Sequence, residues 1–393
     1  MLISGLPGKT PADYGRMFRL HPELIRESNG PGRVHLEMEG EIRIPGFTGM
    51  RYDLKNGEAL DSVASSLLID PEGIHLLNGG NLKNNDRSIL IPYRVTAPVL
   101  IGRAKYCSET LERDLEALTE TYPFAKASVI GRSVLGKPIW ELKIGSGSRK
   151  IHFNGSFHAN EWITSGILME LVNMYLLALC GNRTLLGKEA ISIFETTELS
   201  VVPMVNPDGV DLVLHGPPPD LDGMLTAIND GKKDFSGWKA NIRGVDLNNQ
   251  FPANWEIEKE RKEPKSPAPR DFPGTSPLSE PEAVALASLA VNSGFDMVVA
   301  FHTQGEEFYW GYGGKEPAVS SSIAAEFTRL SGYRAVQTID SHAGFKDWFI
   351  QEYERPGFTI ELGKGINPLP LSQFNKVYRD VSGIFLYAIG EPF

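Results

Sequence analysis

The stretch KIHFNGSFHANEWITSGILMELVNMYLLAL, residues 150–179, runs from a short apolar strand directly into a long apolar helix. His158 and Glu161 lie at the junction, three residues apart at the opening of the helix. At this spacing an imidazole and a carboxylate can point into one small volume, as a divalent metal requires. The spacing alone leaves two alternatives open, a core histidine and an acid that only stabilises the start of the helix.

Strand and helix patterns alternate in the same way from about residue 108 to residue 393. Strands are predicted at 139–145, 150–157, 199–205, 296–302 and 357–363, and helices at 108–121, 162–180, 279–293 and 319–331. This alternation predicts an α/β domain with a mixed sheet. The charged and proline-rich residues 256–270 are expected to form a surface loop.

The residues around the junction carry a family resemblance. The segment from His158 to Thr164, HANEWIT, resembles the first zinc signature of the metallocarboxypeptidases, and FHTQGEEFYWGYGG at 301–314 supplies a strand-end histidine, His302. The resemblance implies a catalytic zinc ion held by His158, Glu161 and His302. Two nitrogens and one carboxylate would leave the fourth tetrahedral position open for water.

A catalytic base is implied by the same resemblance. The segment GFTIELGKG at 357–365 resembles the family's strand with the catalytic glutamate, which makes Glu361 the expected base that takes a proton from water. The alternative is a strand-end carboxylate that faces solvent. Phe358 and Ile360 fill the alternating positions around it, which weakens that alternative.

Further matches extend the resemblance over most of residues 108–393. They are IGRSVLGKPIW at 130–140, NPDG at 206–209, GVDLN at 244–248 and SEPE at 279–282. The resemblance implies an eight-stranded mixed sheet flanked by helices, with the site at the C-terminal edge of the sheet.

The sequence departs from the family in the loop that binds the substrate's terminal carboxylate. Asn248 matches the family, but Asn249 stands where the family has an arginine. Bidentate binding of a free C-terminal carboxylate is lost at that position, so strict carboxypeptidase action is not expected.

Two other substrate contacts also differ. The segment GWKANIRGVD at 237–246 offers two cations for the oxyanion, of which we favour Arg243 and keep Lys239 as the other candidate. A surface salt bridge is the alternative for either one. The family's capping tyrosine is missing before Asp347, where His342 is either its replacement or a histidine that faces solvent.

The N-terminal part contains two variants of one pattern, predicted at residues 1–48 and 49–97. Strand, two helices, an asparagine-containing turn and a closing strand resemble the LysM module, which implies binding of N-acetylglucosamine chains. The second copy matches well and the first only in part. The loops at Asn29 and Asn78 fit glycan contact, although turn chemistry also favours asparagine there, and a helical hairpin that only packs is the other alternative.

Composition limits the possible partners. A chain of 393 residues is longer than one hydrophobic core usually organises, so two or more domains are expected. A net charge of −10 disfavours nucleic acid and anionic lipid as partners.

Cys107 and Cys180 are expected as buried free thiols rather than a disulfide. No export signal and no membrane insertion are predicted, so synthesis in the cytoplasm with action at the cell wall or spore envelope is the expected localisation.

The departures and the two modules together resemble a bacterial branch of the family, the γ-D-glutamyl-L-diamino-acid endopeptidases. This resemblance implies hydrolysis of the amide between γ-D-glutamate and meso-diaminopimelate or lysine in peptidoglycan stem peptides, with glycan strands as the second partner. The alternatives are a zinc carboxypeptidase and a catalytically inactive glycan-binding wall protein.

Overall fold

The computed structural model describes residues 1–30, 40–80, 82–83, 86–100 and 104–392. Contacts divide the chain into two compact units. The first unit comprises Met1–Leu100, Glu116–Lys126 and Asn173–Glu195. The second comprises Ile101–Leu115, Ala127–Val172 and Thr196–Phe393. The first unit therefore holds both predicted modules and also two segments from beyond residue 108.

The helices and strands are given in chain order. The N-terminal ones are β1 (Leu2–Ser4), α1 (Pro11–Phe18), α2 (Pro22–Asn29), β2 (Glu41–Arg43), β3 (Phe47–Asp53), α3 (Leu60–Leu67), α4 (Pro71–Leu77) and β4 (Ser88–Arg94). The next are α5 (Ser108–Thr121), β5 (Lys126–Arg132), β6 (Pro138–Ile144), β7 (Arg149–Gly155), α6 (Ile163–Cys180), β8 (Thr184–Leu185), β9 (Lys188–Glu189), α7 (Ala190–Thr196) and β10 (Thr197–Val202). The last are α8 (Pro207–His215), α9 (Asp222–Ile228), α10 (Trp255–Arg261), α11 (Pro281–Ser293), β11 (Met297–Thr303), β12 (Glu307–Tyr309), α12 (Val319–Ser331), β13 (Arg334–Val336), α13 (Phe345–Tyr353), β14 (Gly357–Leu362) and α14 (Phe374–Gly390).

Both N-terminal repeats have the order strand, helix, helix, strand. In each repeat the two strands pair antiparallel, β1 with β2 and β3 with β4. The second helix of each begins with a proline, Pro22 or Pro71, whose fixed φ suits the first turn of a helix. The predicted loops of these modules lie partly outside the described residues, at 31–39, 81, 84 and 85.

Asn29 and Asn78 have the same structural role in the two repeats. The Asn29 amide donates to the carbonyls of Ile25 (2.8 Å) and Arg43 (2.9 Å), and its oxygen accepts from the Arg43 N–H. Asn78 makes the equivalent bonds to the carbonyls of Ile74 and Leu90 and to the Leu90 N–H. Each amide joins the second helix to the closing strand, and both of its donors are used, which leaves neither of them for a glycan.

The second unit is built on the predicted eight-stranded mixed sheet, which is confirmed. The strand order is β13-β12-β14-β11-β7-β10-β6-β5. The central strands β14, β11, β7 and β10 are parallel, whereas β6 and β12 pair antiparallel with their inner neighbours. Every residue of β11, MVVAFHT, is buried, as its continuous apolar run predicts for a central parallel strand.

One predicted loop is partly helical. Residues 256–270 were expected as a surface loop, but Trp255–Arg261 forms α10. Glu256 and Glu258 lie in its first turn, and Lys259 and Arg261 lie in its last turn. Negative charge at the N-terminus and positive charge at the C-terminus both interact favourably with the helix dipole. The charge order was a helix signal that the prolines at 264, 267 and 269 obscured.

One described stretch is long and apolar enough to cross a membrane by length and composition alone. It spans Ala159–Cys180, and 83% of its apolar window is buried within the fold. A core helix passes the same test of length and composition, so this stretch is weak evidence for a membrane span. Cys107 and Cys180 are both buried free thiols, as predicted.

Candidate metal centre and active site

The candidate residues meet at one edge of the sheet. Strands β7, β11 and β14 are parallel neighbours, so their C-terminal ends lie side by side. His158 follows β7, His302 is the penultimate residue of β11, and Glu361 is the penultimate residue of β14. Gly155 permits the close approach of Thr164 to the end of β7, because a Cβ there would lie 2.9 Å from the Thr164 hydroxyl oxygen.

His158, Glu161 and His302 form a tight buried cluster. His158 Nδ1 lies 2.9 Å from Glu161 Oε1, and His302 Nδ1 lies 3.1 Å from Glu161 Oε2. The two Nδ1 atoms are 3.2 Å apart. Candidate ligand atoms of the three residues all lie within 4.8 Å of one another, and this is the one such group among the described residues.

The cluster fits a catalytic zinc ion by its donor set. Two imidazole nitrogens and one carboxylate are the ligands that zinc takes in sites that keep an open position. Two ring nitrogens that face each other at 3.2 Å beside a carboxylate direct several lone pairs at one small volume. The structure thus brings together the three ligands that the sequence predicted.

Electrostatics around the cluster favour a cation. Burial lowers the pKa of His158, but the Glu161 and Asp246 carboxylates outweigh it and raise that pKa to about 9. Burial would raise the pKa of Glu161, yet His158 and His302 hold it well below its usual range. Burial lowers the pKa of His302. The carboxylates therefore favour positive charge at this position, which a divalent ion would supply.

Asp246 is a candidate functional residue that the sequence did not predict. Its Oδ1 atom lies 3.3 Å from His158 Nε2, on the opposite side of the ring from the metal-facing Nδ1. A carboxylate at this position orients a ligating histidine and fixes its tautomer. The available signal was its place in the loop with Asn248, but nothing local shows that the loop reaches His158.

Glu161 is held by two further groups. The Thr303 N–H donates to Glu161 Oε2 at 3.2 Å, and the Asn367 amide donates to Glu161 Oε1 at 3.4 Å. Neither was predicted. His302 packs its ring against Phe157, with ring centroids 5.6 Å apart. These contacts fix the orientation of the ligand side chains before any metal binds.

Glu361 lies beside the cluster. It is the register partner of His302 on the adjacent parallel strand, and its side chain is partly exposed. Burial and the nearby Glu161 carboxylate raise the pKa of Glu361 to about 8, against the opposing charges of His158 and Lys239. The residue expected to act as base thus lies next to the metal ligands and has a perturbed pKa.

The structure brings Lys239 to the cluster rather than Arg243. The positive charge of Lys239 lowers the pKa of His158, His302, Asp246 and Glu361. Its backbone is anchored there, because the Lys239 carbonyl accepts from the Ala159 N–H at 3.0 Å. Arg243 instead lies 3.5 Å from Glu280, with 55% of its side chain exposed. These contacts favour Lys239 over the preferred Arg243, which makes the surface salt bridge that was its alternative. The role of either cation at the oxyanion stays a prediction.

The other three predicted residues lie in two places. Asn248 and Asn249 share a short turn with Asp246, and Asn248 Oδ1 accepts from the Phe345 N–H at 3.2 Å. His342 Nδ1 lies 2.8 Å from the Tyr312 hydroxyl, so this histidine is tied to a neighbouring side chain rather than free in solvent. Their roles in substrate binding stay predictions.

Comparison with known proteins agrees with this geometry. Residues 111–382 match the pattern of the zinc carboxypeptidase family. The chain is 50% identical over 295 residues to gamma-D-glutamyl-L-diamino acid endopeptidase 1 of Lysinibacillus sphaericus, a match that covers 75% of this chain and 74% of that protein.

Two solved structures share the fold. Thrombin activatable fibrinolysis inhibitor superposes with a TM-score of 0.58 at 19% identity over 73% of this chain and 75% of that one. Carboxypeptidase A from Helicoverpa armigera gives a TM-score of 0.55 at 15% identity over 88% and 98% of the respective chains. The family pattern and the extent of the sequence identity show that this chain belongs to the zinc carboxypeptidase family.

Proposed function

We propose that the protein is a zinc-dependent endopeptidase that cuts the amide between γ-D-glutamate and an L-diamino acid in peptidoglycan stem peptides. Zinc-dependent hydrolysis is supported by the buried group of His158, Glu161 and His302, which lies beside Glu361. The substrate is supported by the relative named gamma-D-glutamyl-L-diamino acid endopeptidase 1, which is 50% identical to this chain over 295 residues.

The residues divide the reaction among them. Zinc, when bound by His158, Glu161 and His302, supplies polarisation of the amide carbonyl and a lowered pKa for water. Glu361 takes a proton from the attacking water and returns it to the leaving amine. The Lys239 ammonium stabilises the negative charge that develops on the carbonyl oxygen.

Asn249 supports cleavage within a peptide rather than removal of its last residue. A neutral amide cannot form the bidentate ion pair by which an arginine holds a terminal carboxylate. Asn249 is buried, next to Asp246 in the same turn. The carboxypeptidase alternative is therefore less well supported, and the four intact catalytic residues disfavour an inactive wall protein.

The two N-terminal repeats are proposed as LysM-like glycan-binding modules at residues 1–48 and 49–97, ahead of a catalytic domain at 108–393. Their matching strand–helix–helix–strand order and their equivalent Asn29 and Asn78 bonds support a duplicated module. Weak binding of glycan strands would raise the local concentration of stem peptides without changing the active site. Action at the cell wall or spore envelope follows from this proposal.

Purified muropeptides test the proposal. Digestion followed by mass spectrometry should show new N-terminal diaminopimelate or lysine fragments, and these should be lost after zinc is removed by a chelator and return when zinc is added. Substrates with a blocked C-terminus separate the two peptidase alternatives. Cleavage of only unblocked peptides, or full activity without zinc, would contradict the proposal.

A further inference from the structure

Four polar side chains form a row across four neighbouring strands at the active-site edge. His302 on β11 pairs in register with Glu361 on β14, Glu361 with Glu307 on β12, and Glu307 with Arg334 on β13. Residues paired in this way point to the same face of a sheet. Glu307 and Arg334 therefore lie on the same face of the sheet as His302 and Glu361. Glu307 is one strand spacing of about 4.8 Å beyond Glu361, and Arg334 is two.

Glu307 is fixed in position and ionised. Its Oε1 accepts from the Tyr309 hydroxyl at 2.5 Å, and its Oε2 accepts from Arg334 Nε at 3.1 Å. These two partners, Tyr309 first, hold the pKa of Glu307 below its ordinary value despite partial burial. Arg334 Nη2 also donates to Oε2. A carboxylate has about four lone-pair positions, so one of them, on Oε1, is left for a ligand.

The outer end of the row, at Arg334, is accessible to solvent. It pairs with Glu307 through Oε2, and 73% of its side chain is exposed, compared with 18% for Glu307. An exposed ion pair on an edge strand contributes little to stability and can simply protect the edge. That explanation does not account for the placement of Glu307 opposite Glu361, because like charges directly opposite one another destabilise a sheet. Glu307 indeed raises the pKa of Glu361.

We propose that Glu307 and Arg334 form the subsite for the charged side chain of the diamino acid. Glu307 binds the side-chain ammonium, and Arg334 binds the carboxylate that diaminopimelate carries on the same carbon. The inference rests on the proposed function, since it assigns the residue after the cut amide. A site built to bond polar groups rejects analogues that lack them, so this pair would select a diamino acid over an apolar residue.

Three peptides that differ only in one residue test the subsite. They are L-Ala-γ-D-Glu-X, with X as meso-diaminopimelate, L-lysine or L-norleucine, which has the length of lysine without the ammonium. In E307Q, kcat/KM for the lysine peptide relative to norleucine should fall about tenfold or more, mainly through KM, because one charged hydrogen bond is lost. Any change in the pKa of Glu361 affects all three substrates alike and cancels in the ratio.

Arg334 provides a second, independent variant. Its side chain is largely exposed, so R334Q should fold normally even if E307Q does not. The preference for meso-diaminopimelate over lysine should fall in R334Q, while the preference for lysine over norleucine should fall less than in E307Q, because Glu307 keeps its charge and its bond from Tyr309. Glu306, which pairs with Lys364 and Lys376, offers the matched control, and E306Q should leave both ratios unchanged.

The outcomes separate this inference from the proposed function. Unchanged ratios in E307Q and R334Q, in a wild-type protein that cleaves the peptides, would overturn the subsite alone. A zinc-loaded wild type that cleaves none of the three peptides would overturn both proposals.

Discussion

Asp246 Oδ1 lies 3.3 Å from His158 Nε2, while Nδ1 of the same ring faces Glu161 and His302. The Asp246 carboxylate thus contacts Nε2 of the imidazole, and Nδ1 faces the candidate metal position. Both contacts together define the tautomer and the orientation of the ring. The pair links the substrate loop, which carries Asp246, to the metal centre.

Removing this carboxylate should weaken zinc binding. In D246N the amide no longer stabilises the Nε2 proton of His158 by charge, so we expect zinc affinity to fall about 10–100-fold. Competition with a chromophoric chelator measures the change. D230N, at an exposed aspartate of the same unit, is the control that should keep wild-type affinity. Equal affinity in D246N and the wild type would show that Asp246 does not orient the ligand.

Replacing the base should separate chemistry from metal binding. E361Q keeps the size of the side chain but cannot accept a proton, so kcat should fall about 10²–10⁴-fold. Zinc content, measured by elemental analysis, should stay at the wild-type level because Glu361 is not among the three clustered ligands. Retained turnover in E361Q would assign the base to another residue.

Removing Lys239 should lower kcat much more than removing Arg243. K239A removes the positive charge that acts on the cluster, and we expect kcat to fall about 10²–10³-fold, as for the loss of one oxyanion donor. R243A should change kcat little, because Arg243 lies against Glu280 and is largely exposed. Steady-state kinetics on the same stem peptide compare them. A larger loss in R243A than in K239A would restore the original preference for Arg243.

Glu282 should make stability depend on pH. Burial raises its pKa from 4.5 to about 7, although the Val134 N–H and the Asn241 amide donate to it. The folded state therefore binds this proton more tightly than the unfolded state. Its contribution to stability is complete below pH 4.5 and is lost as pH rises through 7, by about 3 kcal/mol at most.

The E282Q variant tests this pH dependence. The unfolding free energy, measured with guanidinium chloride at pH 5 and pH 8 with zinc present, should fall less between these pH values in E282Q than in the wild type. E326Q, at a partly exposed glutamate on α12, should keep the wild-type difference. An identical difference in E282Q would show that Glu282 is ionised in the fold.

Much of the fold followed from local patterns. The predicted helix at 108–121 and the predicted strands of the central sheet agree with the structure within a few residues, because burial on both faces requires long apolar runs. Residues 256–261 were missed, since their helix depends on charge order within a segment whose prolines indicate a loop. The apolar stretch Ala159–Cys180 has the length and composition of a membrane span, and its burial is visible only in the folded chain.

The sequence by itself identified the candidate zinc ligands. His158 and Glu161 are three residues apart at the start of a helix, and this short-range geometry is the same wherever the helix lies. His302 and Glu361 could be recognised because each ends an apolar strand within a family motif. These features need no knowledge of which strands are neighbours.

Only the tertiary structure decided the surroundings of that site. The charge of Lys239 rather than that of Arg243 acts on the cluster, and Asp246 contacts His158, because a loop from a distant part of the chain packs against the helix start. The row of Glu361, Glu307 and Arg334 depends on the register of three strands that are far apart in sequence. Strand pairing of this kind is a long-range property, and a single sequence carries no local signal for it.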